Sequence, residues 1–264
     1  MNEQPSAGTL PIAERAARAA GALLLERFGG PARGVDTKSS GTDMVSDADR
    51  DAERLITVML REAFPADAIV GEESGAHDGD SGRTWIVDPL DGTTNFLYGI
   101  PQWCVSIACE DAAGGVAGVI FDACRNELFA ASRGGGATRN GTPIRASTLG
   151  DLSKALVATG YGYEPAERSR WGATIALLLP QVRDVRRAGA AALDLAWTAS
   201  ARTDAYAEIP CRPWDRAAGV LIAAEAGCEI SMLDPIGSSG EGVIAAPPAL
   251  HGPLRDAILE VLAT

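Results

Sequence analysis

The chain has 264 residues, 46% apolar and 22% charged, with a formal net charge of −12. That length accommodates one large domain or two that share a core, and the composition is that of a globular protein. The acidic balance argues against nucleic-acid or anionic-membrane binding through a basic face, although bound cations can invert the local sign of a site and admit an anionic substrate.

The apolar spacing predicts an amphipathic helix from Ile12 to Phe28, stopped by Gly29 and Gly30, and a second beginning at Ser46 or Asp47 and running to Phe64, with Pro65 just beyond. Strand-like runs follow at Thr84–Val87, Trp103–Cys109, Val116–Phe121 and Glu127–Ala131, the last two joined by a hairpin through Asp122–Asn126. Gly134–Gly141 is rich in turn residues and ends in the tight-turn pair Asn140-Gly141. Together these runs predict an antiparallel sheet in the first half. The second half alternates: strand Ala155–Thr159, helix Arg168–Leu179 ended by Pro180, strand Val182–Arg186, helix Ala191–Ala201, strand Asp204–Ile209, and helix Trp214–Ala226 stopped by Gly227. Strand–helix alternation predicts an α/β layer. A boundary near Gly150 divides residues 1–150, carrying the antiparallel sheet, from residues 151–264, with a cleft where the halves meet.

The five cysteines, Cys104, Cys109, Cys124, Cys211 and Cys228, are odd in number and form no C-x-x-C, so they read as reduced thiols of a cytoplasmic protein. The first 25 residues lack a basic segment followed by an apolar one, and no apolar run approaches the roughly 20 residues of a membrane span. His77 and His251 have no neighbouring partner and are expected in surface loops, which leaves little room for histidine catalysis or zinc.

The chemistry concentrates in Trp85-Ile86-Val87-Asp88-Pro89-Leu90-Asp91-Gly92-Thr93-Thr94-Asn95-Phe96. An apolar strand delivers Asp88, Pro89 stiffens the turn, Asp91 follows, Gly92 permits close backbone approach, and Thr93 and Thr94 are good helix-start residues. Carboxylates bind hard cations such as Mg²⁺, and a helix start offers free N–H groups to phosphate. The bland alternative is a capped strand–helix turn with acidic surface residues. Two more acidic positions end strand-like or open helical elements: Glu72, within Gly71-Glu72-Glu73-Ser74, and Asp215, after Trp214. Alone, Glu72 reads as a solvated loop carboxylate and Asp215 as a helix cap.

Taken together, these segments resemble the inositol monophosphatase family of lithium-sensitive, metal-dependent phosphatases. Asp88 to Phe96 matches its first signature. Trp214-Asp215 with Ala217-Ala218-Gly219 and Glu225-Ala226-Gly227 resembles the second. The likeness also takes in Lys38-Ser39-Ser40, Val45 to Asp49, Gly71 to Ser74 and Asp204 to Glu208. The resemblance implies a layered αβαβα sandwich. It implies two to three Mg²⁺ ions, the first held by Glu72, Asp88 and the Leu90 carbonyl, the second by Asp88, Asp91 and Asp215, with Glu72 sharing a third. Asp49, Thr93 and Glu72 would be catalytic, Asp49 pairing with the Thr93 hydroxyl to position and deprotonate the attacking water, with Lys38 nearby. Gly92 and Thr93 would donate to the phosphate. Asp91, Glu208 and the backbone of Gly189-Ala190-Ala191 would contact the leaving alcohol. Ala190 stands where relatives often carry Ser or Thr.

The implied substrate is a small phosphorylated polyol, foremost inositol 1-phosphate, in a cytoplasmic homodimer that binds neither nucleic acid nor membrane. Bound cations supply the positive charge that a phosphate dianion and a poor alkoxide leaving group require. Direct attack by water fits better than an aspartyl nucleophile at Asp88, which would compete with metal bridging. Fructose 1,6-bisphosphate, histidinol phosphate and 3′-phosphoadenosine 5′-phosphate are alternative substrates, and Arg186, Arg187 and Arg212 are candidates for holding a second phosphate. A non-catalytic metal-binding scaffold is the remaining alternative. It is disfavoured because Glu72, Asp88, Asp91, Asp215, Asp49 and Thr93 are all present.

Overall fold

The computed structural model describes residues 8–30, 34–37, 44–236 and 240–262. Helix α1 (Thr9–Arg27) turns Ala13, Ala16, Ala17, Ala20 and Leu24 to one face, where all are fully buried. A 3.6-residue repeat places that spacing on one stripe. The helix begins three residues before Ile12 because Pro11 falls in its first turn, where a missing N–H breaks no helical bond. The ribbon β1 (Asp36–Thr37) and β2 (Met44–Val45) precedes α2 (Asp47–Ala63). Ser46 caps α2 and Asp49 returns the bond, a reciprocal box that fixes where the helix starts.

The first sheet comprises β3 (Ala68–Gly71), β4 (Gly75–His77), β5 (Thr84–Asp91), β6 (Cys104–Asp111), β7 (Gly114–Asp122), β8 (Glu127–Ser132), β9 (Gly136–Arg139) and β10 (Thr142–Pro143), in the order β10-β9-β8-β7-β6-β5-β3-β4. It is antiparallel except where β3 pairs parallel to β5. The single-turn helix α3 (Thr93–Leu97) follows β5. The turn-rich stretch Gly134–Gly141 contains β9, because its glycines take the turns at either end and leave Ala137 to pair.

The second sheet comprises β11 (Leu156–Ala158), β12 (Asp184–Arg186), β13 (Ala205–Glu208), β14 (Glu229–Leu233) and β15 (Gly242–Ala246), in the order β12-β11-β13-β15-β14. Helices α4 (Pro165–Leu178), α5 (Ala191–Ala199), α6 (Pro213–Glu225) and α7 (Pro248–Leu262) complete the set. Strands β12, β11 and β13 are parallel, and β15 runs antiparallel to β13 and β14. The change of sheet falls between Pro143 and Leu156.

Helices α1 and α2 cover one face of the first sheet around Trp85, Trp103 and Ile107. Helices α5 and α6 fill the space between the sheets, and α4 and α7 cover the outer face of the second. The result is the αβαβα sandwich expected from the resemblance. Each layer hides the apolar face of its neighbour.

His251 departs from the surface loop expected of it. It lies on α7, 1% exposed, with Nδ1 3.6 Å from Glu229, and burial lowers its pKa against the pull of that carboxylate. His77 ends the edge strand β4, half-buried. All five cysteines are free thiols, four buried and Cys124 half-buried. No helix among the described residues is long and apolar enough to cross a membrane.

Candidate active site

Side chains three residues apart on a regular strand point to opposite faces. Asp88 and Asp91 escape that alternation through a bulge. Asp88 pairs with Ser106 and Asp91 with Cys104, so three steps along β5 match two along β6. The extra residue brings Asp91 back to the side of Asp88. Pro89, which has no N–H to lose, sits within the bulge, and Leu90 N donates to Asp88 Oδ1 at 2.9 Å.

Gly92 then takes φ +94°, and a Cβ there would stand 2.9 Å from the Gln102 carbonyl and 3.2 Å from that of Gly189. Only glycine adopts this turn and admits that approach. Helix α3 starts at Thr93, yet the Thr93 hydroxyl caps nothing. It lies 3.0 Å from Asp49 Oδ1 and 3.0 Å from the Leu90 carbonyl. The other Asp49 oxygen accepts from Ser46 N at 2.9 Å and Ser46 Oγ at 2.6 Å. Burial raises the pKa of Asp49, and the Ser46 and Thr93 bonds partly offset this.

The remaining acids arrive from three other elements. Glu72 follows β3, with its N–H on the Val87 carbonyl at 3.1 Å. Asp215, in the first turn of α6, accepts from Arg212 N at 3.2 Å and also faces the cleft, so it is helix cap and site residue at once. Ser106 Oγ donates to the Trp214 carbonyl at 3.2 Å and ties α6 to β6. Asp91 Oδ2 accepts from Ala192 N at 2.7 Å, at the start of α5, and from Cys104 Sγ at 3.7 Å. Glu208 ends β13 and accepts from the buried Tyr206 hydroxyl. Asn95 Nδ2 donates to the Gln102 and Ala188 carbonyls, at 2.7 and 2.9 Å, and so pins the loop carrying Gly189 against the start of α3.

Glu72, Asp88, Leu90, Asp91 and Asp215 all line one cleft of about 380 Å³, together with Gly92, Thr93, Gly189, Ala191 and Glu208. Asp49 stands behind Thr93. Ala190 presents a buried methyl there in place of a hydroxyl. Arg187 and Arg212 line the same cleft, whereas Arg186 is exposed and pairs with Asp184 at 2.5 Å. A lysine at position 38 lies outside the described residues.

Burial, then repulsion from Glu72, Asp91 and Asp215, pushes Asp88 well above the usual carboxylate range. Burial raises Asp91 to about 7, opposed by the Ala192 N–H and reinforced by Glu72. Asp215 also rises to about 7, through burial and Asp91. Glu208 reaches about 7 through burial, against the Tyr206 hydrogen bond. Asp88 shares hydrogen bonds with both Glu72 and Asp215. Carboxylates in such contact need a proton or a cation between them.

Among the described residues no three His, Cys, Asp or Glu side chains already close as one finished metal shell. What the cleft supplies is an all-oxygen, strongly anionic donor set with no imidazole in it. That chemistry fits a hard divalent cation such as Mg²⁺ and disfavours softer metals.

Three further residues belong to the site without having been expected there. Asp194 on α5 lines the cleft, 1% exposed, with Oδ1 unpartnered among the described residues. Burial, Glu208 and Asp91 hold it well above the usual range. Its signal was available: a lone carboxylate in the apolar run Ala191–Ala199. Tyr206, in the run Asp204–Glu208 that carries part of the resemblance, orients Glu208, and Glu167, one residue before the helix predicted from Arg168, lines the cleft; the sequence assigned neither a role.

The chain matches the Inositol monophosphatase family over residues 8–261. It belongs to that family. The matched span of the inositol monophosphatase family takes in both sheets and every residue lining the cleft. The protein named Inositol-1-monophosphatase of Mycobacterium bovis is 40% identical over 244 residues, covering 89% of this chain and 84% of that protein. Nus factor SuhB of Escherichia coli K12 is 41% identical over 227 residues, 84% of each chain. The crystal structure of extragenic suppressor protein suhB from Bartonella henselae superposes with a TM-score of 0.86 at 37% identity, covering 94% of this chain and 97% of that one.

Proposed function

We propose that this member of the inositol monophosphatase family is a Mg²⁺-dependent phosphatase that hydrolyses inositol 1-phosphate to inositol and phosphate by in-line attack of water. The observation that carries the reading is the Thr93 hydroxyl, 3.0 Å from the buried Asp49 carboxylate and facing a cleft also lined by Glu72, Asp88, Asp91 and Asp215. Mg²⁺ held by Glu72, Asp88, the Leu90 carbonyl, Asp91 and Asp215 would supply the charge that offsets the phosphate dianion and the departing alkoxide.

The protein's own groups do the rest. Thr93 Oγ1 donates to Asp49 and keeps its lone pairs for a water in the cleft, so a proton leaving that water passes through Thr93 to Asp49. Burial has already raised the proton affinity of Asp49, which suits a general base. The Ser46 bonds hold Asp49 in one orientation. Gly92 and Thr93 offer N–H groups to the phosphate, and Glu208, oriented by Tyr206, accepts from hydroxyls of the leaving alcohol. A homodimer and inhibition by Li⁺ belong to the same reading; light scattering and a Li⁺ titration at fixed Mg²⁺ test them.

A second reading, a bisphosphate substrate, is favoured by one observation: Arg187 and Arg212 both line the cleft. The test is phosphate release from inositol 1-phosphate, fructose 1,6-bisphosphate, histidinol phosphate and 3′-phosphoadenosine 5′-phosphate, with and without Mg²⁺. Mg²⁺-dependent preference for inositol 1-phosphate supports the first reading, and preference for fructose 1,6-bisphosphate supports the second. No release from any of them, with Mg²⁺ bound, rejects both.

A further inference from the structure

Glu53 has a buried carboxylate, 3% exposed, with no place in the chemistry described above. Its two oxygens are both engaged. Oε2 accepts from Glu73 N at 2.8 Å and Oε1 from Ser74 N at 2.7 Å. The acceptors thus grip two consecutive amides of the turn between β3 and β4, immediately after Glu72. The grip depends on Gly71: a Cβ there would stand 2.5 Å from Glu53 Oε2 and 2.8 Å from Oε1. Gly71 lies outside the left-handed region, so close approach and not backbone conformation is what requires glycine. The motif Gly71-Glu72-Glu73-Ser74 therefore reads as a socket: a missing side chain at the first position and two presented amides at the third and fourth.

Glu53 also lies four residues, about one helical turn, after Asp49 on α2. Residues at that spacing share a helix face. One rigid element thus carries the carboxylate that pairs with Thr93 and the carboxylate that holds the Glu72 turn.

We infer that Glu53 is a positioning residue for the metal site, fixing Glu72 through the Glu73 and Ser74 amides in register with the Asp49–Thr93 pair. The inference rests on the proposed role of Glu72 as a Mg²⁺ ligand. A turn followed by two polar residues is otherwise free to sample other conformations, and a ligand that must be ordered on binding loses affinity by the cost of that ordering. Partners outside the ligand shell typically contribute about 10–100-fold in metal affinity.

The test uses the full chain and the variants Glu53→Gln, Glu72→Gln and their combination. Two readouts are taken: Mg²⁺ affinity by calorimetry without substrate, and hydrogen exchange at the Glu73 and Ser74 amides. Glu53→Gln keeps one acceptor but turns a donor toward an amide N–H. It is expected to weaken Mg²⁺ binding at least tenfold and to speed exchange at both amides, while kcat at saturating Mg²⁺ falls less than threefold. In the Glu72→Gln background the same change should add nothing to the loss of Mg²⁺ affinity.

Unchanged Mg²⁺ affinity in Glu53→Gln, with the wild type binding Mg²⁺ normally, overturns the inference. So does a further loss in the double variant equal to that in the single. Absence of Mg²⁺ binding by the wild type rejects the functional reading itself, and the inference with it. If Glu53→Gln does not fold, Gly71→Ala displaces the same carboxylate without altering its charge, and the two readouts apply with the same outcomes.

Discussion

Thr93 Oγ1 stands 3.0 Å from Asp49 Oδ1, joining positions 44 residues apart in the chain. The hydroxyl comes from the turn after a bulged strand and the carboxylate from the first turn of α2, where Ser46 fixes it from the other side. If that pair carries the proton from the attacking water, Thr93→Ala lowers kcat by roughly 100-fold or more, the scale of positioned proton transfer. The melting temperature should move by only a few degrees, and Thr93→Ser should restore most of the rate. Steady-state kinetics with thermal melts of the three proteins makes the comparison. A Thr93→Ala rate within a factor of three of wild type removes the pair from the mechanism.

Asp91→Asn abolishes turnover and leaves the fold intact. The amide oxygen can still accept from Ala192 N, so the anchor to α5 survives while the charge is lost. Relief of repulsion on Asp215 and Asp88 should make the metal-free variant at least as stable as the wild type at pH 8. Phosphate release and melting in EDTA check the two halves separately; retained turnover contradicts the assignment of Asp91 as a metal ligand.

Stability should depend on pH in a direction set by the raised carboxylates. Burial holds Asp91 and Asp215 at about 7 in the folded protein against an ordinary 3.8, and Glu208 at about 7 against an ordinary 4.5. The folded state then holds more protons than the unfolded state between about pH 4 and 7. Without metal, the contribution of these groups is fully present below about pH 4 and is lost as pH rises through 7. Mg²⁺ binds the deprotonated forms, so its affinity climbs over the same window. The rise in melting temperature on adding Mg²⁺ is therefore expected to be larger at pH 8 than at pH 5.5. Equal rises at the two values would show that protons and cations do not compete in this cleft.

Tyr206→Phe tests Glu208 as the acceptor for the leaving alcohol. The hydroxyl is fully buried and donates to the carboxylate that faces the cleft. Losing a hydrogen bond to a charged group costs about 1.5–3 kcal/mol, roughly tenfold or more in an equilibrium constant. KM for inositol 1-phosphate should rise by that factor while the Mg²⁺ concentration for half-maximal rate stays put. A shift in Mg²⁺ dependence with constant KM would assign Tyr206 to the metal side of the site instead.

Much of the fold is legible in the chain itself. The 3.6-residue repeats of α1, α2 and α6 and the β7–β8 hairpin announce themselves because local periodicity and turn chemistry decide them. The region after Gly227 was not legible. Strands β14 and β15 are short and pair only through β15 with β13, and α7 carries Gly252 and Pro253 inside it. Packing against the second sheet overrides those breakers, a decision made far from the residues concerned.

The same division holds at the site. Which acids are available, and their phosphatase-like order, are set along the chain, since residue types and short spacings are local properties. Tertiary structure decided that Asp88 and Asp91 share a face, because a bulge reverses an alternation the spacing alone would impose. It decided that Asp194 and Glu208 join them, and that Glu53 grips the turn beyond Glu72. Contacts across 20 to about 100 residues depend on how layers stack, and stacking is fixed by the burial of whole faces, not by any local spacing.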